Sequence, residues 1–419
     1  MVAPDRTRAG RRVRPGIVLL VALLVVAATL AVLTAFPRRA PPPPGTLPPT
    51  AVLSGIERGG RVSLARDCGY SAPLPATPGR SLWLFCDTPV YVRRTSASGR
   101  AGWALERFIA GSTAAEGPAV TGPGPQDRVP GPLSEVGTPA PVARPGAVDA
   151  GGAPAPFLAP PVGLFTAAGL PCGTGGSYPA SWISGVTRVP SAPDLLVTFN
   201  NYCVLKGAGG FLDEGFGLAE YDPATQALGN DVTVLAGAGL ESAAPAAPLG
   251  SPVISGRYLY LFGPTCAAPR DGRCSGTMVE ARVPASPAAW TDPLSYQWWS
   301  GGTSGTWSSD AAAATAIIPG TKPSGVSVAS FAAAGRRFVL IEQTDIGGAF
   351  TVRESSSPAG PWKKVTSGRV PCRAGAGYAN FCRAIIGHPE LSSRTELVLS
   401  YFDPGAEAYG HVMVAGFRW

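Results

Sequence analysis

Ser81-Leu-Trp-Leu-Phe-Cys-Asp-Thr88 is a run of large apolar residues closed by a cysteine and an aspartate. Four later stretches share its character: Asp194-Leu-Leu-Val-Thr-Phe-Asn200, Arg257-Tyr-Leu-Tyr-Leu-Phe-Gly263, Arg337-Phe-Val-Leu-Ile-Glu-Gln343 and Glu396-Leu-Val-Leu-Ser-Tyr-Phe402. Each is rich in the aromatic and β-branched residues that favour strands. Each also follows, across a short turn, a strand of small residues, at 62–74, 180–189, 249–254, 324–331 and 380–391. The unit is therefore a hairpin repeated five times, its copies 113, 63, 80 and 59 residues apart. A spacing of about sixty residues suits a four-stranded propeller blade. Runs at 217–222, 277–283 and 350–354 then read as third strands, and the long first interval as an irregular Gly, Pro and Ala-rich loop at 111–156. A β-sandwich has the same strand count but gives no reason for a small-residue strand always to precede an aromatic one. The expected fold class is all-β, a five-bladed β-propeller over residues 56–419.

Composition agrees. Gly 54 and Pro 45 make up close to a quarter of the 419 residues, and only 15% are charged, which excludes coiled coils and helical repeats. Two histidines, His388 and His411, are too few for a His-rich metal site or a multi-histidine catalytic cluster. With no phosphate-binding loop, nucleophile elbow or zinc motif, no metal and no cofactor is expected, a structural cation on the propeller axis being the one open case. The net charge of +7 sits mostly in residues 1–50, which hold seven Arg against one Asp. The remainder carries about +1, so no basic patch argues for nucleic acid.

The arginines of residues 1–16 precede an apolar run at 17–36. At about 1.5 Å per helical residue, twenty residues reach about 30 Å, enough to cross a bilayer. The arginine bias places the N-terminus in the cytoplasm and the rest outside, behind a Pro-rich linker at 37–55. The expected localisation is the cell membrane, single pass; the alternative is a signal peptide cleaved near Leu33-Thr34-Ala35 and a secreted protein. All eight cysteines follow the linker, on the oxidising side. Taken in order along the repeat, they pair as Cys68–Cys86, Cys172–Cys203, Cys266–Cys274 and Cys372–Cys382, each bridge stapling one blade or its loops.

Cys68 with Cys86, and Asp67 with Asp87, are both centred on residue 77 in the first hairpin. A direct bridge sets Asp67 opposite Asp87, with Cβ atoms about 4.5–5.5 Å apart. Two close carboxylates, one with its pKa raised by the other, are the parts of a glycosidase acid/base or nucleophile pair. The plainer reading is an Asp that caps a turn or meets Arg66. Inner propeller strands crowd the axis and carry small residues, so Arg383, His388 and Glu390 stand out there as substrate-binding candidates, although a buried imidazole bonded to backbone also accounts for His388. Glu342 is a reserve acid. Tyr178, Trp182 and Tyr202 suit stacking on sugar rings, and Trp298, Trp299 and Trp307 a glycan groove, with core packing the alternative for each.

Asp67-Cys-Gly-Tyr-Ser71, Leu82-Trp-Leu-Phe-Cys-Asp-Thr88, Ser355-Ser-Ser-Pro-Ala-Gly-Pro-Trp362 and His388-Pro-Glu-Leu391 together resemble the domain-of-unknown-function 4185 family, over about residues 60–419. The resemblance implies an extracytoplasmic five-bladed propeller of actinobacterial type, similar in fold to glycoside hydrolase family 43. Some members are endo-D-arabinanases, so a cell-wall polysaccharide is the implied partner. It also implies Asp67 and Asp87 as the catalytic pair, and Tyr70, inside the first motif, joins the expected substrate-binding residues. Cys68 and Cys86 depart from the family, standing where glycine is usual. An excess of Arg (30) over Lys (4) fits a high-GC genome. The rival function is a non-catalytic propeller that binds glycan or a protein at the cell surface.

Overall fold

The computed structural model describes residues 62–419 apart from 97, 119–132, 137–153, 160, 167, 191, 206–209, 237–247, 266–275, 302–304, 374–380 and 406–409, together with short strands at Thr50–Ala51 and Ile56–Glu57. The expected membrane span at 17–36 and the Cys266–Cys274 bridge lie outside the described residues. Among the described residues no helix is long and apolar enough to cross a membrane.

Five antiparallel sheets follow one another along the chain. The first runs outward through Cys68–Pro73, Arg80–Phe85, Thr113–Pro118 and Ser134–Val136. The second is Ser177–Arg188, Leu195–Leu205, Phe211–Asp222 and Ala227–Ala236. The third begins with Gly250–Ser255, Tyr258–Pro264 and Met278–Pro284 and ends with Gln297–Gly301 and Thr306–Ser308. The fourth is Gly325–Ser330, Phe338–Gln343, Ala349–Ser355 and Lys363–Arg369. The fifth takes Arg383–Gly387, Glu396–Asp403 and His411–Arg418 from the end of the chain and Thr50–Ala51 from its beginning, with Thr50 opposite Val414.

The apolar second strands explain the ring. Leu82 and Leu84 pack with Leu195 and Val197 of the second sheet, whereas the intervening Trp83 and Phe85 pack with Val398 and Val412 of the fifth. The same alternation recurs around the molecule. Leu196 meets Leu259 and Leu261, Phe262 meets Phe338 and Leu340, and Val339 and Ile341 meet Leu397 and Leu399. A strand with both faces covered needs apolar residues at every position, which is why these five read as continuous runs. The first strands pack in cyclic order, and Arg383–Gly387 packs back on Cys68–Pro73. The result is a β-propeller rather than two facing sheets. Small residues belong on its inner strands: a Cβ on Gly185 would stand 2.2 Å from Pro252 Cδ.

Two expectations need correction. Residues 111–156 are not one irregular loop, because Thr113–Pro118 and Ser134–Val136 are the outer strands of the first sheet. Residues 62–74 are not one strand either. Val62–Leu64 belongs to an unexpected sixth sheet, which it forms with Ile56–Glu57 and the hairpin Thr88–Thr95 and Ala101–Ile109. That hairpin interrupts the first blade between its second and third strands. Its inward residues Val90 and Ile109 pack with Leu64.

Candidate active site

The first strands begin, and the second strands end, at one mouth of the ring. Asp67 and Asp87 meet there. The Asp67 N–H donates to the Asp87 carbonyl at 3.2 Å, and the Cys86 N–H to the Asp67 carbonyl at 3.0 Å. The expected Cys68–Cys86 disulfide is present with Cα atoms 5.4 Å apart. Cys172–Cys203 and Cys372–Cys382 are also present. The register centred on residue 77 holds from Tyr70 opposite Leu84 to Pro73 opposite Ser81. It slips by one at Cys68, which faces Phe85 across a bulge and has φ +67°.

The two carboxylates have different surroundings. Asp67 forms an ion pair with Arg383, whose Nε donates to Oδ2 at 2.7 Å, and its Oδ1 accepts from the Cys68 N–H at 2.7 Å. Arg383 in turn lies over the Phe402 ring, 3.8 Å from its centroid. Asp87 accepts from the Gly111 N–H at 2.8 Å and Trp182 Nε1 at 3.0 Å on one oxygen, and from the Tyr178 hydroxyl at 2.7 Å on the other. Burial raises the Asp87 pKa from 3.8 to about 6; the three donors pull it down and the Asp67 charge adds to the rise. Gly111 has φ +93°, and a Cβ there would stand 3.1 Å from the Ser181 amide nitrogen, so only glycine brings this N–H to Asp87.

The remaining candidates divide into groups. Trp182 is an Asp87 donor rather than an open stacking platform, because Tyr202 packs on it at 4.7 Å and Phe211 at 5.2 Å. Tyr202 is buried in that cluster. His388, Glu390 and Tyr70 lie deeper along the axis. Ser71, four residues and about 13 Å of strand beyond Asp67, places its hydroxyl 2.6 Å from His388 Nδ1 and also bonds Glu390 Oε1. His388 is fully buried against Trp83, and burial lowers its pKa to about 3, so the ring is neutral. Burial raises the Glu390 carboxyl and the Tyr70 hydroxyl. Tyr70, Ser71 and Glu390 line a cavity of about 420 Å³ that extends along the first strands past Ser251 and Ser327. Glu342 is not with the carboxylate pair; it is buried and bonded to Arg353 Nε at 2.6 Å within the fourth sheet. Trp298 is buried in the third sheet, and Trp299 and Trp307 stand at that sheet's outer edge, where Arg282 lies over Trp307 at 4.1 Å.

No protein-family model matches the chain, and no curated protein matches it. Similar solved structures include a Bacteroides ovatus protein named only provisionally as a hydrolase, with 16% identity, TM-score 0.49, and coverage of 87% of this chain and 93% of that one. A glycoside hydrolase family 43 enzyme of Xanthomonas citri, complexed with xylotriose, has 12% identity and TM-score 0.40 over 87% and 90% of the two chains. A family 43 β-xylosidase/α-arabinofuranosidase from a compost microbial metagenome has 9% identity and TM-score 0.41 over 88% and 94%.

Proposed function

We propose that this protein is a glycoside hydrolase on a five-bladed propeller, acting on a cell-wall polysaccharide such as D-arabinan, and held outside the membrane by residues 17–36. The observation that carries the reading is the pair Asp67 and Asp87 side by side at the mouth of the ring, one ion-paired with Arg383 and the other shifted to about 6. Unequal carboxylates divide acid and base roles between them. Asp87 gives its proton to the departing glycosidic oxygen. Asp67, as the charged partner, attacks the anomeric carbon or takes a proton from the water that does.

One observation favours a second reading, a silent glycan-binding propeller: all four carboxylate oxygens of the pair already accept a hydrogen bond. Incubating the full chain with actinobacterial arabinan separates the two. Oligosaccharides are expected to be released, and Asp67→Asn or Asp87→Asn to abolish release with little change in Tm. Binding without release by wild type and variants alike establishes the silent module instead.

A further inference from the structure

We infer that the contact between the third and fourth sheets is a pH-sensitive joint, closed while Glu280 carries its proton and loosened when the carboxyl gives the proton up. The inference stands apart from the hydrolase reading, since neither Asp67 nor Asp87 takes part in it.

Glu280 lies in the third strand of the third sheet, opposite Phe262. Its chain neighbours Val279 and Ala281 turn toward the second sheet, where they pack with Leu196 and Leu218. Glu280 therefore points the other way, on the side of Phe262 and Met278, which pack with Val328, Phe338 and Leu340 of the fourth sheet and with Trp362. Ile318, on a segment whose Ile317 N–H donates to the Met278 carbonyl, joins the same cluster. The Glu280 side chain is fully buried there, and neither carboxyl oxygen has a hydrogen-bond partner among the described residues.

A buried carboxylate needs a counter-charge or several donors, and the groups around this one supply neither. On its own strand Arg282 bears on it, but the Arg282 Nε donates to Gln297 and the guanidinium lies over the Tyr258 and Trp307 rings, 4.3 and 4.1 Å from their centroids. The strand opposite contributes Tyr258 and Tyr260 to this side, and neither hydroxyl bonds the carboxyl. From the fourth sheet come Glu342 and Arg353, already paired with each other at 2.6 Å, and Lys364, opposite Arg353 and exposed to solvent. Strands Gln297–Gly301 and Gly325–Ser330 and the segment 315–318 carry no titratable side chain. The buried Trp362 indole N–H does not reach the carboxyl either. Burial accordingly raises the Glu280 pKa well above 4.5, against a smaller downward pull from Arg282. When the joint opens, water reaches the group and that ordinary value returns. The open form then loses a proton that the closed form keeps, so opening gains about tenfold in weight for each pH unit above 4.5, until the closed form ionises too. Acid closes the joint and rising pH loosens it.

The test is amide hydrogen exchange of the full chain in phospholipid nanodiscs from about pH 5 to about pH 8, under conditions where closing outruns exchange. Glu280→Gln is measured beside the wild type, so that the intrinsic pH dependence of exchange cancels. The ratio of wild-type to variant rates is expected to rise about tenfold per pH unit at Tyr258–Pro264, Met278–Pro284 and Phe338–Gln343, up to the pH at which the closed form ionises. At Arg80–Phe85 in the first sheet it is expected to stay flat. Glu280→Met, which cannot ionise either, is expected to behave as Glu280→Gln does. A flat ratio across the third and fourth sheets overturns the inference. So does a ratio that rises equally at Arg80–Phe85, since ionisation then acts on the whole ring instead of the joint. Failure of both variants to fold overturns it as well, because a carboxyl that bonds nothing and serves only to titrate is dispensable to the fold.

Discussion

Asp87 is where burial and hydrogen bonding oppose each other most directly. Removing water from a carboxylate disfavours its charge, whereas the N–H of Gly111, the indole N–H of Trp182 and the hydroxyl of Tyr178 favour it. Burial wins, and the group titrates at about 6 instead of 3.8. An acid in that position must be protonated to act, so hydrolysis is expected to fall as pH rises through about 6. Tyr178→Phe removes a donor to the charged form, which raises this pKa further and moves the falling limb of the pH–rate profile to higher pH. An unmoved limb would exclude Asp87 as its origin. The pairing of Asp67 with Asp87 was legible because both lie in one hairpin, and even the slip at Cys68 leaves them joined through the backbone. The Asp67–Arg383 ion pair was not, since 316 residues separate the partners and only ring closure brings them together.

At the scale of elements, the second strands were the most readable part of the chain. Their neighbours on both faces demand apolar residues throughout, and that demand is written locally. The sixth sheet was missed for the opposite reason. The strand Ala101–Ile109 is exposed along most of its length and lacks an apolar run, so no periodicity marks it. The sequence offers Trp182 as a sugar-stacking candidate or a core residue; that it donates to Asp87 instead depends on which side of the strand meets the first blade, a matter of tertiary packing. The Cys68–Cys86 bridge ties the first hairpin beside the carboxylates over a separation of 18 residues, for which loop-closure entropy gives about 3 kcal/mol. Cys68→Ser with Cys86→Ser is expected to lower stability by about that amount in denaturant titrations. Activity at permissive temperature follows only if the two aspartates lose their alignment, which separates the bridge's stabilising role from any role in shaping the site.

For the molecule as a whole, the proposed topology has its own check. If residues 17–36 cross the membrane with the arginines inside, protease added to intact cells is expected to remove the propeller and leave a short N-terminal fragment. A full-length chain protected until lysis overturns that orientation, and a soluble form beginning near Phe36 replaces the anchor with a cleaved signal.

Closure by the fifth sheet also bears on the order of events during biogenesis. Ribosomes deliver Asp67 and Ser71 early, and Arg383, His388 and Glu390 more than three hundred residues later. The last sheet holds strands from both ends of the chain, and its Ser400 hydroxyl bonds the Gly69 carbonyl of the first. Until that sheet docks, the first blade lacks one of its two neighbours and Asp67 lacks its counter-charge. A nascent or prematurely terminated chain therefore lacks the assembled site, so translation must deliver the strands of the fifth sheet before Asp67 and Arg383 can meet.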